Sequence, residues 1–173
     1  IAPLVARRDV NRQQVQARER RLIIMKGIAE YLRRIGKARG FGIQSPWAFR
    51  FVTEVIGERW PYYAYEDIDR MYTTRRERRY RKLMLRVRND IYPNKLVERD
   101  ISEIDDGVIA NDAVLCGVHG AIVVSGIYRD KKSREAWEKM RENPCIGVTF
   151  DLYDLAICFL DTSIYKQHYI LNF

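Results

Sequence analysis

A chain of 173 residues with 47% apolar content is long enough for one globular domain and too apolar for a disordered tract. It contains no uninterrupted apolar run of about 18 residues, which excludes a membrane-spanning helix, and its first residues lack the apolar core of a signal peptide. The net charge of +8 is uneven: residues 1–90 carry 22 Lys+Arg against 10 Asp+Glu, and residues 91–173 carry 9 against 13.

Such asymmetry points to a surface that meets nucleic acid, anionic lipid or an acidic partner, or to a solvated set of helices, set beside an ordinary sheet-containing core. Three cysteines, Cys116, Cys145 and Cys158, are an odd number at irregular spacing. Cys116 and Cys158 sit among apolar neighbours and read as small core residues, so the expectation is a reduced, cytoplasmic protein.

In chain order, residues 1–24 read as a basic arm rich in Gln and Arg, with almost no apolar stripe, expected alone to be a frayed helix or disordered. Met25 is the first methionine, and a natural start there would leave this arm outside the native protein. Residues 25–90 read as a helical region. Ile24, Ile28, Tyr31, Leu32 and Ile35 form one stripe, ended by Gly36, Gly40 and Gly42. The GxG in "GKARGFG" follows a helix rather than a strand, so it is not a phosphate-binding loop.

"IQSPWAFRFVTEVIGE" carries a helix start: Ser45 as N-cap and Pro46 as first helical residue. Phe49, Val52, Val55 and Ile56 supply its expected buried face. "WPYYAYEDID" is an aromatic loop whose rings either stack on bases or pack helix against helix, and Asp67 or Asp69 opens the next helix. Residues 70–88 form a strongly basic helix with Met71, Leu83, Leu85 and Val87 on its apolar side. Arg75, Arg76, Arg78, Arg79, Arg81 and Lys82 face water or phosphate, and are the candidate anion-binding residues.

Residues 91–173 change character. "NKLVERD" is a short strand, and "EIDDGVIA" and "AVLCGV" read as short apolar pieces between turns. "AIVVSGIYRDKKSREAW" is a buried strand, a turn and a helix, half of a βαβ unit. "CIGVTFDLYDLAICFLD" alternates and folds back around Leu152-Tyr153-Asp154 as a β-hairpin. "YKQHYILNF" is an extended, half-apolar tail. His119 lies in a loop, and His168, alternating with Lys166 and Tyr169, is a weak candidate base. No CxxC, HExxH or Walker loop is present.

Two segments resemble a known family. "GIQSPWAFRFVTEVIGE…YYAYEDID" is similar to the G-I-H-S-P-F-x-F opening of class I S-adenosylmethionine-dependent methyltransferase-like proteins common in Bacteroidetes. "VTFDLYDLAICFLD…YKQHYILNF" is similar to their closing segment. The resemblance implies an α/β fold: a Rossmann-like methyltransferase sheet, truncated or incomplete, with N-terminal basic helices and a C-terminal β-hairpin. Ala121–Val124 would be the fifth strand. The hairpin would place an antiparallel seventh strand beside it.

It also implies S-adenosylmethionine as cofactor, methyl transfer to an acceptor the sequence does not name, and Glu98, Ser125, Gly126 and Tyr128 near the cofactor. The departures are plain. Residues 91–120 are too few for the cofactor-binding region, and "RDISEID" lacks the glycine-rich turn that lets backbone approach a cofactor. Gln44 replaces the family's His. No carboxylate stands at the mouth of the fifth strand before Asp130, so no metal is implied.

On this reading the remaining βαβ units have no sequence to make them. The chain is an inactive, internally deleted relative, or a segment is missing, or another chain completes the sheet, such as a second copy covering its open edge. The alternative is a non-catalytic module whose basic helical face binds nucleic acid or an acidic protein.

Overall fold

The computed structural model describes residues 42–173, together with Arg18, Ala29, Leu32 and Arg34. The basic arm and most of the helix expected over Ile24–Ile35, with its glycine stop, lie outside the described residues. All elements below belong to the unit Lys37–Phe173.

Ser45 and Pro46 open the first helix as their chemistry predicts. Ser45 is extended, its hydroxyl accepts from Ala48 N at 3.3 Å, and Pro46 follows where a missing N–H costs nothing. Helix α1, Pro46–Arg50, continues as a π-helical segment, Phe51–Ile56. Ala48, Phe51, Val52, Val55 and Ile56 are buried. Phe49, expected on that face, is exposed: it sits one helical step, about 100°, off the Ala48–Val52–Val55 stripe.

The basic helix expected over 70–88 is two helices. α2 spans Ala64–Met71 and α3 spans Arg75–Ile91. The break is made by Thr74, whose hydroxyl accepts from Glu77 N at 3.2 Å and donates to Glu77 Oε2 at 2.8 Å. This Thr-x-x-Glu capping box starts a new helix inside what reads as one basic run. Neither Asp67 nor Asp69 opens a helix; both lie within α2. Leu83, Met84, Val87 and Ile91 bury the apolar side of α3, whereas Met71 is exposed.

Strand β1, Leu96–Asp100, leads through a 3-10 turn, Ile101–Glu103, into helix α4, Asp106–Cys116. The two apolar pieces expected here are this single helix. Asp105 is its N-cap, accepting from Val108 N at 2.8 Å, so Asp-Asp-Gly starts a helix rather than a turn. Strand β2, Ala121–Ser125, pairs parallel with β1. A second βαβ unit, β1–α4–β2, therefore exists where the sequence reading had no residues for one. β1 lies directly beside β2 rather than at the start of a longer parallel series.

Helix α5, Lys131–Glu142, returns to β3, Val148–Asp151. The expected hairpin then forms: β4, Leu155–Phe159, pairs antiparallel with both β3 and β2. Tyr153 at its tip has φ +76°, and its N–H donates to Asp151 Oδ1 at 2.9 Å. The tail supplies β5, Gln167–Ile170, parallel to β3. The sheet is open and mixed, in the order β1-β2-β4-β3-β5.

Helices cover both faces of this sheet. Ala121 and Val123 pack with Phe150, Ile157 and Phe159 against α1, the π-helical segment and α3. Ile122 and Val124 pack with Ala156 and Cys158 against Ile109 of α4 and Trp137 and Met140 of α5. Alternate residues serve opposite layers, which is why β2 reads as a continuous apolar run. Phe51 and Phe150 lie 4.8 Å apart between ring centres, and Trp47 meets Phe159 at 4.9 Å. Each fully buried ring among these, Phe51 and Phe150, contributes about 1.5–3 kcal/mol, and with the partly buried Trp47 they fix α1 and the π-helical segment on the sheet. No helix among the described residues is long and apolar enough to cross a membrane.

Candidate functional site

Helix α3 is held at three points. Its N-terminus is capped by Thr74. Near its C-terminus, Asp90 accepts both guanidinium nitrogens of Arg50, at 2.7 and 3.2 Å. Arg86 grips the chain between these points. Its Nε donates to Val55 O at 2.6 Å, its Nη2 to Ile56 O at 3.1 Å and its Nη1 to Tyr65 Oη at 2.9 Å. These carbonyls close the π-helical segment, the negative end of its dipole.

Beside this clamp lies a cavity of about 1020 Å³, bordered by the end of the π-helical segment, α3 and Leu171–Phe173. Arg59, Arg75, Arg78, Arg79, Lys82 and Arg86 line it, against two carboxylates, Glu58 and Asp69. On α3, Arg75, Arg79, Lys82 and Arg86 are spaced four, three and four residues apart, which stacks them on one helix face.

Both carboxylates are already engaged. Glu58 Oε1 accepts from Arg59 N at 2.6 Å and Trp60 N at 2.7 Å, and Asp69 pairs with Lys82 at 2.7 Å. Arg75 has no ion pair among the described residues. Among the described residues Arg78 donates to Thr73 O, at 3.4 Å, and its buried Nε finds no partner there. Arg79 lies over the Phe173 ring at 4.0 Å. Burial lowers the Arg79 pKa from its ordinary value, and Arg75 and Arg86 lower it further. Like charges held this close repel, and an anion between them would relieve the repulsion.

The six cations expected to act together are spread over two cavities, with Arg75 and Arg79 bordering both. Arg75, Arg78, Arg79 and Lys82 line the cavity beside the clamp. Arg76 instead pairs with Asp154 at 2.7 Å, and Arg81 with Glu98 at 3.3 Å. The sequence reading missed Arg59 and Arg86. Arg86 lies between Leu83 and Val87, a cation embedded in a buried stripe, and that position was its visible signal.

A second cavity, of about 790 Å³, lies at the carboxyl ends of β1 and β2, lined by residues of both signs including Arg76, Glu98, Asp100, Ser125 and Asp154. The four cofactor candidates are near this end of the sheet, and each is occupied. Glu98 accepts from Tyr80 Oη at 2.8 Å and Arg88 at 2.5 Å besides Arg81. Burial pushes the Tyr80 hydroxyl well above its usual value, and the bond to Glu98 adds to this.

Ser125 Oγ donates to Arg99 O at 3.3 Å, and Tyr128 Oη to Asp151 Oδ2 at 2.6 Å. Gly126, at φ +77°, has the backbone freedom a close approach requires, but the space beside its Cα holds the Arg129 guanidinium, 2.5 Å from where a Cβ would stand. Arg129 is fixed there by Asp100 at 2.5 Å, and this contact holds the Asp100 carboxyl far below the usual carboxylate range.

His168 does not join this site. It lies on β5, opposite Thr149 of β3, whose hydroxyl is 2.7 Å from its Nδ1, with Glu142 of α5 3.9 Å from its Nε2. Burial, then Arg141, lowers its pKa. His119 Nδ1 is 3.1 Å from Asp161 Oδ2. Cys116 and Cys158 are buried core residues as expected, and burial pushes both thiols up. Among the described residues, no three His, Cys, Asp or Glu side chains gather in a way that could hold a metal ion.

Compared with family models, curated proteins and solved structures, the chain finds no match in any of the three.

Proposed function

We propose that this chain is a non-catalytic, methyltransferase-like α/β domain that holds an anionic polymer on the basic face of α3. The observation that carries the reading is the cavity beside α3, where six cations meet two carboxylates that are both already engaged. With Lys82 on Asp69 and Arg86 on backbone carbonyls, Arg59, Arg75, Arg78 and Arg79 remain for a ligand. Four guanidinium groups without an ion-pair partner among the described residues, around one opening, suit repeated phosphates.

The methyltransferase part of the reading rests on the two resembling segments and on β4 lying antiparallel beside β2. The non-catalytic part rests on the state of the strand ends. Glu98, Ser125 and Tyr128 are spent on neighbouring groups, and Arg129 fills the approach to Gly126. On this reading these residues are a poor fit for S-adenosylmethionine.

The test is retention on immobilised polyphosphate under a salt gradient. The chain should elute well above the salt that releases R75A/R78A/R79A, and the same preparation titrated with S-adenosylhomocysteine should give no heat. Equal elution of the two proteins would sink the anionic-polymer reading. Saturable heat from the titration would sink the non-catalytic one.

A further inference from the structure

The loop that leads from the π-helical segment to α2 carries aromatic rings that the fold does not use. Trp60 is 75% exposed and Tyr63 98% exposed. The sequence left base stacking or helix packing open for these rings; among the described residues Tyr62 packs on Tyr65 at 5.2 Å, whereas no ring contact is seen for Trp60 or Tyr63. Tyr65 is fixed in turn by Arg86, and Lys82 lies 5.0 Å from its ring.

The loop is therefore anchored to the same helix face that lines the cavity. Its first residues, Glu58 and Arg59, border the cavity themselves. The Glu58 carboxylate, taking the amides of Arg59 and Trp60, sets the turn that presents the indole.

We propose that the anionic polymer is a single-stranded nucleic acid, its phosphates on Arg59, Arg75, Arg78 and Arg79 and its bases stacked on Trp60 and Tyr63. This rests on the anionic-polymer reading above and names its ligand. A positive groove with exposed rings beside it is the combination that takes unpaired strands, because every base has a flat face and no pairing pattern is needed. A duplex keeps those faces inside its own stack. An acidic protein offers charge but no regular series of flat rings in step with its charges, which a single strand does.

The experiment is fluorescence anisotropy of the full chain with three labelled probes of equal length: an oligothymidylate, its abasic analogue and a duplex. Oligothymidylate should bind at least tenfold more tightly than the abasic strand, and W60A/Y63A should remove that advantage while abasic binding stays the same. Both side chains are exposed, so the variant should keep the parent's circular dichroism. Equal binding of the thymidylate and abasic strands, or preference for the duplex, would overturn the assignment while leaving the basic cavity an anion site. Failure of all three probes and of polyphosphate would overturn the underlying reading as well.

Discussion

Arg86 gives the sharpest stability prediction. Its guanidinium is buried, has no carboxylate partner among the described residues, and donates to Val55 O, Ile56 O and Tyr65 Oη at 2.6, 3.1 and 2.9 Å. Methionine in its place keeps most of the stem volume and removes all three donors. Two buried carbonyls would then lose their partner, at about 1–3 kcal/mol each. Relief of the buried charge and of repulsion from Arg79 offsets part of this, leaving a net loss of about 3 kcal/mol. For a chain of this size that lowers the melting temperature by roughly 6–12 °C, read by differential scanning calorimetry. R86K should fall between, since an ammonium reaches one carbonyl but cannot bridge two from a fixed fork. If R86M melted within about 2 °C of the parent, or above it, the guanidinium would not be the clamp described here.

Two further perturbations are specific. A methyl group at Gly147 would collide with the backbone carbonyl of Asp161, which cannot swing aside, so G147A should cost about 3 kcal/mol or more in a urea titration; a midpoint equal to the parent's would contradict the close approach of these segments. The Asp100 carboxyl is depressed by Arg129, so its contribution to stability is complete above about pH 4 and is lost as the pH falls further. D100N should therefore flatten the acid limb of the stability profile, and an unchanged slope below pH 4 would dismiss the pair.

Local chemistry was legible in the sequence, and long-range pairing was not. Ser45-Pro46 announces a helix start because the cap and the restricted φ act within one turn. The β2 run and the hairpin around Tyr153 are equally local, and both form as read. "EIDDGVIA" and "AVLCGV" were read as separate pieces because Asp105-Asp106-Gly107 can cap a helix or make a turn, and only the residues after them decide which. Thr74 was passed over for the same reason, inside a basic run that suggested one helix.

The cation face is written in the four-three-four spacing of Arg75, Arg79, Lys82 and Arg86. Composition alone could not separate these from Arg76 and Arg81, whose partners Asp154 and Glu98 come from the sheet. The occupied strand ends were invisible for the same reason: Asp100 and Arg129 are 29 residues apart. Nothing in the sequence around His168 shows that Thr149 and Glu142 will be its neighbours.

The most direct test of the basic cavity is the salt dependence of single-strand binding for the parent chain and for R75A/R78A/R79A, measured by anisotropy at several potassium concentrations. With Arg59, Arg75, Arg78 and Arg79 each neutralising one phosphate, the logarithm of affinity should fall against the logarithm of salt with a slope of about −3. The variant keeps one of the four, and its slope should be near −1 with much weaker binding. Parallel slopes for the two proteins would mean that the phosphates sit elsewhere, and the cavity beside α3 would lose its assigned role.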